Sequence, residues 1–363
     1  MNILLTNKSF LKNTIGSWTT RLQKFIHRNP NFFSYILSPD EQADRVLTSV
    51  KRKYLTYLFF RDRQLLGRVA RDYIRNLSRI RAKHPEAPLN IVIIDDFSLV
   101  KAVALWKKRQ HVQNVSVIYS FHGHLLTGDP AVFPYIDKVL FLTRLGYRDT
   151  LRHHFSFPPE VEVIGNGVDS EIFYPINPGQ KESKRRELGL PEDKKIITWL
   201  ANDRPSKGLP VFRKVMRELN RRYDDLYFLI IGSHQHIEGE NIRNVGRIAN
   251  SQVSSYLQIS DFYFHTALVR EGFGLTIAEA IKTGNTVLAS ALGGIPEVTA
   301  CCPDRAFLVE NPNMVRDWLE AFEKMNLRKI SPLDKESAGK IWNYPDWERR
   351  FIHAIDSGNE RKF

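Results

Sequence analysis

Short runs of branched apolar residues alternate with longer amphipathic stretches along most of the chain. Asn2 to Thr6, Asn90 to Ile94, Val115 to Ser120, Lys138 to Leu142 and Val161 to Ile164 read as strands in the first half. Lys195 to Leu200, Leu226 to Ile231, Phe262 to His265, Thr286 to Ala289 and Ala306 to Val309 repeat the habit in the second. Continuous apolar strands separated by helical patterns predict parallel sheets covered on both faces. The expected fold class is therefore α/β, with two doubly wound Rossmann-like domains. In such sheets ligands bind at the carboxyl ends of the strands, here in a cleft facing the other domain. The domain boundary is expected after Asp169, where Tyr174-Pro-Ile-Asn-Pro178-Gly puts two prolines and a glycine in a polar stretch ahead of a helix near Glu182. This assigns residues 1–170 to a first domain and the following residues to a second.

One segment departs from the alternation. Between Pro39 and Pro85, Leu65, Val69, Tyr73, Leu77 and Ile80 fall on one helical stripe, and Arg68, Arg71, Arg75 and Arg79 on another. Just before it, the run from Lys51 to Arg61 interleaves cations with aromatic residues. Charge sharpens this picture. The chain of 363 residues carries 53 Lys/Arg against 40 Asp/Glu, a net +13. Residues 1–170 hold 25 and 14 of these, a balance of +11, which leaves 28 and 26 for the remainder, or +2. A basic first half suits an anionic partner: a phosphorylated substrate, an anionic membrane surface reached through the basic 45–83 segment, or nucleic acid. No nucleic-acid module is recognisable, and a solvated arginine face is the plain alternative. The membrane reading places cations of that helix over lipid headgroups.

The length predicts about two domains. The two cysteines, Cys301 and Cys302, are adjacent; they form neither a disulfide framework nor a zinc pattern, and a reduced cytoplasmic setting is expected. The first residues lack the apolar stretch of a signal peptide, and no window reaches the roughly 18 apolar residues that span a bilayer.

Three loops at strand ends carry the candidate chemistry. Arg270-Glu-Gly-Phe-Gly-Leu-Thr-Ile-Ala-Glu-Ala280 sets Glu271 and Glu279 eight apart around a glycine turn that opens a helix. Gly272 and Gly274 permit close backbone approach, and the free amides of Gly274, Leu275 and Thr276 make a phosphate site. Glu271 can accept hydrogen bonds from hydroxyls attached to that phosphate, and Glu279 those of a ribose; a solvated helix residue is the other reading of Glu279. Upstream, Arg204 and Lys207 in Asn202-Asp-Arg-Pro-Ser-Lys-Gly208 stand at a strand end, where a pyrophosphate needs cations. Downstream, Gly293-Gly-Ile-Pro-Glu297 adds a further glycine turn.

These segments resemble the nucleotide-sugar glycosyltransferases of the GT-B fold, specifically the large retaining family four. The resemblance rests on Glu271 to Glu279, on Lys207-Gly208, on Gly293 to Glu297, and on Val163-Ile-Gly-Asn-Gly-Val-Asp169 followed by Phe173-Tyr-Pro175, and covers about Val163 to Glu297. Trp347-Glu348 looks like the final helix of such enzymes, which makes 171–343 the second domain and 344–363 a helix returning to the first. The resemblance implies metal-independent, retaining transfer of a sugar from a nucleoside diphosphate donor, with uridine first and guanosine next, to a glycan, lipid-linked or phosphorylated saccharide acceptor at the inner membrane face. It implies no cofactor. Arg204 and Lys207 would neutralise the leaving diphosphate, Glu271 would hold donor sugar hydroxyls, and the Gly272-Phe273-Gly274-Leu275-Thr276 turn and Glu279 would bind the nucleotide.

In the first domain the resemblance assigns His122, in Tyr119-Ser-Phe-His-Gly-His124, to the donor sugar near the transferred carbon, and Gly16 to the first glycine-rich loop. His122 is preferred to His124 because it lies nearer the strand end. Asp95-Asp96 also closes a strand, with a helix N-cap as the expected role. Two positions depart from the family pattern. Asn202 and Ala201 stand where its arginine is usual, and the glycine pair is reduced to Gly16. These departures keep a catalytically impaired nucleotide-sugar-binding protein as an alternative, beside a nucleotide-sugar epimerase. His234 and His236 lack the surrounding ligands of a metal site.

Overall fold

The structure is a computed structural model, and it describes residues 1–8, 17–39, 46–49, 63–109, 112 and 114–357. The chain forms two compact units: Met1–Ile164 joined by the residues from Glu348 onward, and Gly165–Trp347. The division thus falls at Ile164/Gly165 and at Trp347/Glu348, a few residues from the expected positions.

The first unit is built on a seven-stranded sheet in the order β3-β2-β1-β4-β5-β6-β7, every pairing parallel. The strands are β1 (Asn2–Leu5), β2 (Tyr35–Ser38), β3 (Val46–Ser49), β4 (Leu89–Ile94), β5 (Val115–Ser120), β6 (Lys138–Phe141) and β7 (Glu160–Val163). The connecting helices are α1 (Ser17–Arg28), α2 (Arg63–Lys83), α3 (Phe97–Arg109) and α4 (Arg144–His153). Alternation along the strands sends Ile3, Ile91, Val117, Val139 and Phe141 to one face, where they pack with Tyr73 and Leu77 of α2 and Leu99 and Val103 of α3. Asn90 and Lys138 point the other way. There the Asn90 amide and the Lys138 ammonium donate to carbonyls of Ile355 and Ala354 in the last helix.

The second unit carries a six-stranded parallel sheet in the order β10-β9-β8-β11-β12-β13. Its strands are β8 (Lys195–Leu200), β9 (Leu226–Ile231), β10 (Ile242–Gly246), β11 (Phe262–His265), β12 (Thr286–Ser290) and β13 (Ala306–Val309). The helices are α5 (Pro178–Glu187), α6 (Leu209–Arg222), α7 (Asn250–Ile259), α8 (Leu275–Lys282), α9 (Ile295–Thr299), α10 (Val315–Leu327) and α11 (Lys335–Lys340), and the chain closes with α12 (Tyr344–Asp356). Trp199, Phe228 and Phe264 pack on α6 and α10 through Phe212, Trp318 and Phe322. Tyr263, Val287 and Ala289 pack the opposite face on α7, α8 and α9. Helix α5 starts earlier than the expected Glu182, because Asn177 and Gln180 form a reciprocal cap around Pro178.

All ten strands read from the sequence are present. Pattern reading missed β2, β3 and β10. Of these, β10, with the sequence Ile-Arg-Asn-Val-Gly at a sheet edge, is half-buried throughout and shows no apolar run. In α2, Tyr73, Leu77 and Ile80 are buried and Arg71, Arg75 and Arg79 lie on the more accessible side, as the stripes predict. The side chains of Leu65, Arg68 and Val69 lie outside the described residues. No helix among the described residues is long and apolar enough to cross a membrane.

Candidate functional site

Two strand-end loops of the second unit are locked together by glycine. After β8 the chain runs through Asn202 to Lys207 and turns at Gly208, whose φ of 74° lies in the left-handed region. A side chain there would overlap the Thr266 carbonyl oxygen just beyond β11. The close approach lets the Thr266 hydroxyl bond the carbonyls of Lys207 and Gly208, and lets the Leu268 amide donate to Ser206 at 2.8 Å. The Trp199 indole N–H donates to the same hydroxyl at 3.0 Å, fixing it from the core side. The loop bearing Lys207 is thereby held against the loop that leads to Glu271.

Glu271 is set by a second close approach. It pairs as an isolated bridge with Gly293, where φ is 70° and a Cβ would lie 2.6 Å from the Glu271 nitrogen. The next amide, of Gly294, donates to the Glu271 carbonyl at 2.8 Å. Lys207 Nζ then reaches Glu271 Oε1 at 2.5 Å, with both side chains about one-fifth exposed. His265 Nε2 stands 3.8 Å from the same oxygen and, although buried, makes no hydrogen bond among the described residues. Burial pushes the Glu271 carboxyl up, but the His265 imidazole and the Lys207 ammonium outweigh it and hold the group at about 2. Glu271 is therefore ionised at neutral pH.

Gly274 begins α8 at φ 78°, with no side chain capping the helix. The amides of Leu275 and Thr276, at the first positions, have no acceptor within the helix. The Thr276 hydroxyl accepts from Tyr263 at 2.9 Å. Phe273 is buried with its ring edge-on to Trp342 at 4.8 Å, so this residue expected to bind donor serves the core with its side chain. Glu279, one turn into α8, is 7% exposed, and burial pushes its carboxyl up to about 8. Among the described residues its side chain has no hydrogen-bond partner. The solvated reading of Glu279 is thus corrected: this is a desolvated carboxyl, an unfavourable arrangement unless it gains a partner. Arg204 lies at the same loop, exposed, and its guanidinium forms no ion pair among the described residues.

In the first unit, the end of the sheet gathers a polar cluster of its own. His122 Nε2 lies 3.2 Å from the Ser120 hydroxyl, its amide donates to Asp95 at 3.3 Å, and Trp18 meets its ring edge-on. Its Nδ1 is buried without a hydrogen-bond partner among the described residues. Burial, with Arg21 and Lys8 adding to it, pushes the imidazole well below its ordinary value, so His122 is neutral at pH 7. Asp95 adopts φ 48°, and burial pushes its carboxyl up against the pull of Lys8. Asp96 accepts from the amides of Ser98 and Leu99 at the start of α3, the expected N-cap. His124 is tied to Asp149 at 2.9 Å. Gly16 lies outside the described residues.

Sequence reading missed His265, Thr266 and Tyr263, which build the site from β11. A histidine closing an otherwise apolar strand was the available signal. His234 and His236 are exposed, and among the described residues no group of three or more His, Cys, Asp or Glu gathers to hold a metal ion.

Comparison with known proteins agrees with this geometry. Residues 180–333 match the family model described as Glycosyl transferases group 1. The chain is 24% identical over 233 residues to the phosphatidylinositol N-acetylglucosaminyltransferase GPI3 subunit of Saccharomyces cerevisiae strain YJM789, covering 60% of this chain and 50% of that protein. It is 27% identical over 205 residues to the D-inositol 3-phosphate glycosyltransferase of Corynebacterium aurimucosum, covering 52% and 48%. The chain thus spans about half the length of these curated relatives. Among solved structures, a glycosyltransferase from Rickettsia africae ESF-5 superimposes with a TM-score of 0.73 at 16% identity over 99% of both chains. Anabaena Alr3699/HepE, in complex with UDP and glucose, gives 0.72 at 14% identity over 98% of this chain and 100% of that one. The two parallel sheets with their helices are accordingly the GT-B glycosyltransferase fold, and residues 180–333, which carry Lys207, Glu271 and Glu279, match the group 1 glycosyl transferases.

Proposed function

We propose that this chain is a retaining glycosyltransferase that moves a sugar from a nucleoside diphosphate donor, UDP-linked first and GDP-linked next, to a glycan or lipid-linked acceptor at the cytoplasmic membrane face, without a metal. One observation carries the reading: the Lys207–Glu271 pair, fixed by Gly208 and Gly293, immediately precedes the uncapped start of α8, which carries the buried carboxyl of Glu279, without a hydrogen-bond partner among the described residues. A cation, free amides and two carboxylates in that order suit a diphosphate flanked by a sugar and a ribose.

Lys207 is paired with Glu271. An arriving diphosphate competes for the ammonium, which releases the ionised Glu271 to accept hydrogen bonds from donor sugar hydroxyls. Arg204, exposed at the same loop, adds charge to the outer phosphate. Negative charge grows on the diphosphate as the glycosidic bond breaks, so Lys207 and the α8 amides stabilise the transition state more than the bound donor. The leaving phosphate oxygen takes the acceptor's proton, and no glutamate need act as a nucleophile.

The relatives' names favour this choice of partners. Phosphatidylinositol and an inositol phosphate are named for two of them, and UDP with glucose for a solved neighbour. The membrane face is supported by the exposed arginines of α2; the 45–83 segment before Arg63 lies outside the described residues except for β3. Calorimetric titration with UDP, GDP, ADP and UMP tests the site. One diphosphate is expected to bind about tenfold or more tighter than its monophosphate, with Lys207→Ala removing that advantage. Equal affinity for UDP and UMP, together with no preference among the diphosphates, would sink the assignment.

A further inference from the structure

The helices covering one face of the first sheet are strongly cationic. In sequence, helix α2 carries seven Lys/Arg and one acid, with Arg71, Arg75 and Arg79 exposed; α3 carries four and none, of which Lys101 and Lys107 pair with Asp129 and Asp137; and α4 carries three and one. The acid in α4, Asp149, is committed to buried His124 and only loosely approaches Arg148 and Arg152, at 3.9 and 3.8 Å. At the end of α4 the same surface becomes apolar. Leu151 is 42% exposed and Phe155 fully exposed, with Arg152 and His153 exposed around them.

The exposure of Phe155 is enforced by its neighbours. His154 turns inward, its ring 4.8 Å from Phe133 and its Nε2 2.7 Å from the Leu126 carbonyl. Phe157 also packs on Phe133, at 4.9 Å, and Pro158-Pro159 follow. With residues 154 and 157 anchored in the core, Phe155 is held outward on a stiff loop. A solvated arginine face needs no such residue, and a phosphate backbone would use the arginines and leave an aliphatic and an aromatic side chain in water. An interfacial surface uses both, since the cations meet anionic headgroups and the apolar tip enters the acyl boundary.

We propose that this face of the first unit rests on an anionic lipid bilayer, with Leu151 and Phe155 of the α4 tip entering the headgroup region. The proposal deepens the membrane-face reading above and rests on that reading only for its acceptor; the surface itself follows from charge and exposure. The tip lies in the first unit, remote in sequence from the 45–83 segment, and gives the interaction a defined contact point.

Flotation of the full chain with phosphatidylcholine vesicles, with and without phosphatidylglycerol, tests it. Binding is expected only to the anionic vesicles. Leu151→Ser with Phe155→Ser is expected to lower it on the order of tenfold, while Leu327→Ser, an exposed leucine of the second unit, leaves it unchanged. Phe155→Trp should add a blue-shifted emission component over the parent protein when anionic vesicles are added. Unchanged binding in the double variant, emission of the Phe155→Trp variant that is insensitive to vesicles, or retention by duplex or single-stranded nucleic acid in place of vesicles would each overturn the proposal. Nucleotide release with soluble substrates reads the transferase assignment separately and is expected to be unaffected by the double variant.

Discussion

The carboxyl of Glu279 offers the sharpest test of how this site trades stability for binding. It is 7% exposed, has no partner among the described residues, and is pushed up to about 8 by burial. An acid whose folded value exceeds its unfolded value contributes its full stability below the unfolded value and loses it as pH rises through the folded value. Between about pH 4.5 and 8 the folded protein holds a proton that the unfolded chain releases, so stability falls by about 1.4 kcal/mol per pH unit. From about pH 5.5 to about 7.5 that amounts to roughly 2.7 kcal/mol, and about half of it after allowance for relaxation and water entry. For a unit spanning Gly165–Trp347, this corresponds to roughly 3 to 6 °C in melting temperature. Glu279→Gln keeps the shape and removes the titration. The variant should therefore melt above the parent by an amount that grows with pH across this range, while its affinity for UDP falls about tenfold or more. The assay is thermal melting of both proteins from about pH 5.5 to about 8.5, following the transition that UDP shifts. A difference independent of pH, or a variant less stable than the parent at pH 7.5, would refute the reasoning.

Other outcomes follow from the same geometry. Lys207→Ala should lower donor turnover roughly 10²-fold, the scale for losing one preorganised charge-stabilising group, measured as nucleotide release at saturating donor. Gly293→Ala forces a left-handed residue onto the Glu271 backbone and should cost about 1–2 kcal/mol of stability in strain alone, with donor affinity falling as Glu271 is displaced; denaturant melts and UDP titration read the two effects. Lys282, fully buried, donates to the carbonyls of Ala338, Gly339 and Ile341, and Lys282→Met should destabilise the second unit by about 2 kcal/mol in the same melts. Asp96→Ala removes the α3 cap and should cost about 1 kcal/mol without altering UDP binding.

The fold was largely legible because buried parallel strands declare themselves as unbroken apolar runs, such as Lys195 to Leu200 and Leu226 to Ile231. Strand β10 did not, since it mixes Arg and Asn with its two branched residues. The loops of the candidate site were legible where glycines stand beside charged residues: Gly208, Gly274 and Gly293 all adopt the left-handed backbone, and Gly208 and Gly293 meet a neighbouring backbone closely. What sequence spacing could not supply was desolvation. Nothing in the pattern separates a buried Glu279 from a solvated one, or places His265 beside Glu271, because both depend on how α8 and β11 pack in three dimensions. Phe273 illustrates the converse. It stands between Glu271 and Glu279, yet its ring is buried against Trp342.

The central claim is that Lys207 and Glu271 serve breakage of a nucleoside diphosphate sugar, and nucleotide release across UDP-, GDP- and ADP-sugars without added metal tests it most directly. The account predicts slow release from one donor, stimulated by membrane extract that supplies an acceptor, and lowered roughly 10²-fold by each of Lys207→Ala and Glu271→Ala. Tight binding of a donor with no release under any of these conditions, or release that neither substitution lowers, would contradict it.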